Sequence, residues 1–135
     1  MPNIRVFIYG TLLPGQCNHS VVSSFITSWE PGEIAGRMVD CGPYPAAVRD
    51  GAGTGEASTI QGLWITVSRE GLAAMDALEE FAGIEELNDY ERVWRSDRSK
   101  PDVQGWTYMW ESDRGYPWIK GSYWPDYMAG KERNE

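Results

Sequence analysis

A glycine turn and a single glutamate are the places where this sequence could do chemistry. The run Ile4-Arg5-Val6-Phe7-Ile8-Tyr9 alternates like a strand, stops at Gly10-Thr11-Leu12 and meets a turn signal at Pro14-Gly15. A strand that ends at glycine can leave several backbone N–H groups facing one space. With no Cβ in the way, a ligand reaches them closely. Such donors suit a carboxylate or a developing oxyanion. The plainer alternative is a strand and a tight turn with no ligand. The glutamate is Glu79. At about 100° per residue Leu72, Met75 and Leu78 form one apolar helix face, and Glu79 falls between Leu72 and Met75 on it. A carboxylate inside an apolar stripe is costly unless paired or protonated, which makes it a candidate acid/base. The alternative is a Glu at the stripe's edge that reaches water from the helix end. Glu80 swings to the flank, while Glu85 and Glu86 follow Gly83 in what reads as a solvated loop.

These groups need elements to hold them. Ser68 is the expected N-cap of a helix running to Phe81, with Glu70 in its positive first turn and Gly83 beyond its end. Ile34 to Val39, Ala46 to Arg49, Thr59 to Val67, Tyr90 to Ser96 and Val103 to Trp110 read as strands. Asn18 to Thr27 reads as a short helix with Val21, Val22, Phe25 and Ile26 inward. Gly51 to Gly55 has neither the lysine nor the helix that a phosphate loop requires, and reads as a connection between strands. Trp106, Tyr108 and Trp110 alternate on one face of a strand, either as core or as a platform for sugars or bases. Tyr116 and Trp124 lie in turn-rich sequence, where they could wall a pocket.

Composition narrows the class. A length of 135 residues suits one domain, spanning 1–135, with one sizeable core. Apolar content of 41% against 24% charged residues is that of a globular chain, not a disordered one. Twelve basic against 20 acidic residues give a net charge of −8, which argues against binding a phosphate backbone and so against a nucleic-acid partner. No apolar run approaches the roughly 20 residues that span a bilayer, and the N-terminus lacks a signal-peptide pattern. A cytoplasmic protein with no membrane partner is therefore expected, with Cys17 and Cys41 as reduced thiols. One histidine cannot build a His-rich metal site, and His19 reads as a polar surface residue.

Seven short blocks, in order, resemble the γ-glutamylcyclotransferase-like family, which includes γ-glutamylamine cyclotransferases and AIG2-like proteins. Tyr9-Gly10-Thr11-Leu12-Leu13-Pro14-Gly15 resembles its YG(T/S)L strand end, and Gly42-Pro43-Tyr44-Pro45-Ala46-Ala47 its G-x-YPA segment. Gln61 to Val67 resembles the x-G-E-L-Y-x-V strand, Met75-Asp76-Ala77-Leu78-Glu79-Glu80-Phe81 the LDxLEGY block, and Tyr90-Glu91-Arg92 the YxR that follows. Trp106 to Trp110 resembles the last long strand, with Gly121 to Trp124 as a G-D-W tail. Departures are Leu13 for a basic residue, Glu80 for Gly, Phe81 for Tyr and Ser122 for Asp.

The resemblance implies an α+β fold: a small mixed β-barrel or strongly curved sheet with one or two packed helices. It implies a pocket where the turn faces the Glu79 helix, at a barrel mouth. The implied reaction closes the α-amine of a γ-glutamyl amine or amide onto its own side-chain carbonyl, releasing 5-oxoproline and the free amine, an amide cleavage. Glu79 is then the acid/base, and Tyr9, Gly10, Thr11, Leu12, Tyr44 and Trp124 are the expected substrate-binding residues. The partner is a small γ-glutamyl molecule, and no metal or organic cofactor is called for. Two other readings stand beside it: a non-catalytic binder of small carboxylates on the same fold, and an aromatic carbohydrate-binding module.

Overall fold

In the computed structural model the described residues are 4–16, 18–42, 44–48, 59–78, 91–110, 112, 114–119 and 121–133, and the side chains of residues 21, 78 and 131–133 are left aside. Seven strands form one mixed sheet: β1 (Ile4–Ile8), β2 (Ile26–Ala35), β3 (Arg37–Asp40), β4 (Pro45–Val48), β5 (Thr59–Val67), β6 (Glu91–Ser96) and β7 (Gln104–Trp110). Two helices accompany it, α1 (Arg69–Leu78) and α2 (Trp124–Arg133). The strand order is β2-β5-β1-β7-β4-β3, with β6 also on β7. Because β6 runs antiparallel along the length of β7, β1 and β4 share the other edge. Strand β1 pairs in parallel at Val6–Trp106 and β4 at Ala47–Met109 and Val48–Trp110. The sheet therefore forks at β7 and curls into a half-barrel.

Alternation along the strands gives the sheet two apolar faces. One collects Val6, Ile8, Ala46, Val48, Ile65, Val67, Tyr108 and Trp110, and α1 packs on it through Met75. The other collects Phe7, Tyr9, Ala47, Ile60, Trp64 and Met109, and α2 packs on it through Trp124, with Tyr127 and Met128 beside it. Tyr108 and Trp110 are buried and Trp106 is half-buried against the same cluster, so most of the aromatic stripe of β7 is core. Among the described residues no helix is long and apolar enough to cross a membrane.

Three local expectations need correction. The segment expected to be one helix from Asn18 to Thr27 is two single 3-10 turns, His19–Val21 and Ser23–Phe25, after which the chain enters β2 at Ile26. Pairing with β5 from Ile26–Val67 to Ala35–Thr59 outweighs any helical preference there. The strand expected from Ile34 to Val39 is divided at Gly36, whose φ of +145° separates β2 from β3. Trp124, expected in a turn, opens α2 with Pro125 just behind it, where a proline's missing N–H costs nothing.

Candidate functional site

The turn after β1 is built by capturing its own carbonyls. Gly10 O accepts from Leu13 N at 3.1 Å, Thr11 O from Asn18 N at 2.9 Å and Leu13 O from Gln16 N at 3.0 Å. Leu12 O lies 2.7 Å from His19 Nδ1, and Thr11 Oγ1 accepts from Asn18 Nδ2 at 3.0 Å. A carbonyl only accepts, so the proton of that imidazole sits on Nδ1. Four consecutive carbonyls are thus occupied. Among the described residues, nothing accepts from the N–H groups of Gly10, Thr11 or Leu12. Gly10 and Leu12 are buried and Thr11 half-buried. A buried N–H group without an acceptor is costly, which makes this run a candidate site for one.

The glycine has a packing reason as well. A Cβ at position 10 would come within 2.8 Å of Pro45 Cγ, so the turn is seated against β4. Bulk at position 10 would disturb that seat as well as any ligand.

Tyr9 and Tyr108 connect the turn to α1. The Tyr9 hydroxyl donates to Tyr108 O at 2.7 Å and accepts from Ala47 N at 3.1 Å. On the other side of β7 the Tyr108 hydroxyl donates to Asp76 Oδ1 at 2.5 Å. Arg92 closes the group with a 2.8 Å ion pair to Asp76 Oδ2, its guanidinium lying over the Trp106 ring. Asp76 stands near the end of α1, whose start is fixed as expected by Ser68, with Oγ accepting from Gly71 N at 3.3 Å. One carboxylate thereby ties the last turns of α1 to β6 and β7. Glu79 is three residues further along the chain and lies outside the described residues, as do Glu80, Glu85, Glu86 and Cys17.

The other expected site residues are placed unevenly. Tyr44 is half-buried and packs against the face that carries α1, its carbonyl accepting from Cys41 N. Leu12 lies in that same cluster with Met75 and Tyr108. Trp124 is not brought there: it packs in the other cluster, stacked on Tyr127 with centroids 5.8 Å apart. The Tyr9 ring also lies in that second cluster, and only its hydroxyl reaches toward β7 and β4. Asn18 and His19 were overlooked in the sequence, where His19 reads as a surface residue. Their partners Thr11 and Leu12 are seven residues away, a spacing that matches no local motif.

With this geometry in view, the comparisons with known proteins are specific. The sequence model of the family described as gamma-glutamyl cyclotransferase, AIG2-like, matches residues 6–126. The chain belongs to that family. A relative from Niallia circulans, the gamma-L-glutamyl-butirosin B gamma-glutamyl cyclotransferase, is 34% identical over 112 residues, covering 81% of this chain and 67% of its own. Among solved structures, a protein of Pyrococcus horikoshii superposes with a TM-score of 0.70 at 17% identity over 98% of both chains. An AIG2-like protein of Mus musculus does so with a TM-score of 0.58 at 20% identity, over 95% of this chain and 84% of its own. The half-barrel with two helices is thus the fold of this family, as the sequence blocks led one to expect.

Proposed function

We propose that this family member is a cyclotransferase that converts a γ-glutamyl amine or amide to 5-oxoproline and the free amine. The observation that carries the reading is the run of N–H groups at Gly10, Thr11 and Leu12, whose neighbouring carbonyls are all taken. These donors suit the α-carboxylate of a γ-glutamyl group or the oxygen of its γ-carbonyl as that becomes an oxyanion. The relative named for γ-L-glutamyl-butirosin B supports the same bond class. Tyr44, together with Tyr9, completes the proposed substrate-binding set, and Trp124, packed on Tyr127, is left out of it.

In the reaction the α-amine, mostly protonated near neutral pH, gives a proton to Glu79. Its nitrogen then attacks the γ-carbonyl carbon and forms the five-membered ring. The bond from that carbon to the departing nitrogen breaks as Glu79 returns its proton there, and the surplus proton left on the ring nitrogen passes to the same departing nitrogen, which leaves as an ammonium. Because attack is intramolecular, the protein's part is to hold the substrate folded and to move protons from the attacking nitrogen to the departing one. The Asp76–Tyr108–Arg92 group holds the helix that leads to Glu79.

The test is a panel of γ-glutamyl amines and amides read by mass spectrometry for 5-oxoproline. Glu79→Gln should lower turnover by about two to four orders of magnitude, the span of general acid–base catalysis. Glu80→Gln should keep most activity. Wild-type turnover in Glu79→Gln would overturn the assignment of the proton carrier.

A further inference from the structure

We propose that His19 is a positioning residue for the N–H groups of this turn, an inference that rests on the cyclotransferase reading and extends it. The argument runs through peptide planes. In a trans peptide the C=O and the next N–H point in opposite directions, so holding a carbonyl from one side aims the following N–H to the other. The carbonyl of Gly10 is held by Leu13 N, which fixes the plane that carries the Thr11 N–H. The carbonyl of Thr11 is held by Asn18 N, which fixes the plane that carries the Leu12 N–H. Both N–H groups are thereby turned away from the segment that captures the carbonyls.

Most of these ties are backbone to backbone, and any side chain could accompany them. The plane between Leu12 and Leu13 is different. One end of it is the Leu13 N–H that secures Gly10 O, and the other is Leu12 O, held by the His19 ring at 2.7 Å. Leu12 is 4% exposed, so water is a poor substitute for that ring. Without His19 the plane is free to rotate, Leu13 N–H leaves Gly10 O, and the Thr11 N–H loses its direction. His19 therefore acts two bonds away from the ligand, through Leu12 O and Leu13 N. Asn18 beside it braces the same turn at Thr11 Oγ1, 3.0 Å from its amide nitrogen.

His19→Leu and His19→Asn separate this role from bulk packing. Leucine fills the space without a donor, whereas the asparagine amide places an N–H near the position of Nδ1. In His19→Leu kcat/KM per folded molecule should fall at least tenfold, and the Kd for 5-oxoproline measured by titration calorimetry should rise at least tenfold. In His19→Asn both should return to within about threefold of wild type, whatever the two melting temperatures. A loss seated in KM assigns the turn to the α-carboxylate, and one seated in kcat to the oxyanion. Values within twofold of wild type in His19→Leu overturn the proposal, as does failure of His19→Asn to restore them. Should the wild type bind 5-oxoproline yet release none from the panel, the cyclotransferase reading falls while the Kd series still decides on His19. A wild type that neither binds nor turns over overturns both.

Discussion

Two loops in this protein use the same device with opposite polarity. Between β6 and β7, the buried carboxylate of Asp97 gathers donors: Glu33 N at 2.8 Å, the Trp64 indole at 2.9 Å, Ser99 N at 2.9 Å and Lys100 N at 2.8 Å. Asp97 N in turn bonds Val103 O, so the loop closes on itself. After β1, the described residues between 10 and 19 hold acceptors instead, the carbonyls of residues 10–13. The first loop is finished internally, and the glycine beside it is there for packing: a Cβ at Gly32 would fall 2.2 Å from the Trp64 ring. In the second, nothing among the described residues accepts from the N–H groups of Gly10, Thr11 and Leu12. Burial alone does not distinguish these two loops; the balance of donors and acceptors does.

Removing the brace should harm folding without harming chemistry. Asp97→Ala strands four donors, and is expected to cost about 2–4 kcal/mol of stability by chemical denaturation while 5-oxoproline release per folded molecule stays within twofold. The pH dependence has a definite sign. Burial pushes the Asp97 carboxyl up, but the donors from Glu33, Trp64, Lys100 and Ser99 outweigh it and hold it below the ordinary range. Its contribution is therefore present above the unfolded value, about 3.9, and is lost as the pH falls through the folded value. The stability gap between wild type and Asp97→Ala should narrow below about pH 4. A variant as stable as wild type at neutral pH, or one with its turnover lost, breaks the comparison.

A smaller effect is expected where α2 meets β3. Tyr127 donates to Asp40 Oδ2 at 2.5 Å, and that bond, with burial and the negative charge of Asp40, pushes the phenol up to about 12. A raised phenol stabilises the fold fully below its unfolded value near 10 and stops doing so as the pH rises through 12. Tyr127→Phe should thus cost about 1 kcal/mol at pH 8, seen as a lower Tm, with the difference fading toward pH 12. A gap that persists unchanged at pH 12 would show that the tyrosine's contribution is packing alone. Smallest of all is Thr11→Ser, which keeps the hydroxyl that accepts from Asn18. It should change kcat/KM by less than twofold, and a tenfold loss would mean that the threonine methyl, not the turn's backbone, contacts substrate.

Much of the scaffold was legible from pattern. Strand β5 runs from Thr59 to Val67 as the alternation suggests, and Ser68 caps α1 as its position predicts. What failed was the competition between local and distant partners. Residues 18–27 carry a helix-like spacing, yet Ile26 and Thr27 belong to β2 because β5 offers it a partner along its whole length. Trp124 lies in turn-rich sequence, although a proline one residue inside a helix, as Pro125 is, is also a start signal.

By itself the sequence determined the family blocks, the strand that stops before Gly10 and the helix that opens after Ser68. Those follow from periodicity and from the special conformations of glycine and proline, which act over a few residues. Only the tertiary structure decided that Asp76 joins Arg92 to Tyr108, that Trp124 packs away from the turn, and that His19 holds Leu12 O. These depend on which groups meet after the chain has curled. A hydrogen bond reaches only about 3 Å, and no local pattern in the chain encodes which carbonyl will lie that close to an imidazole.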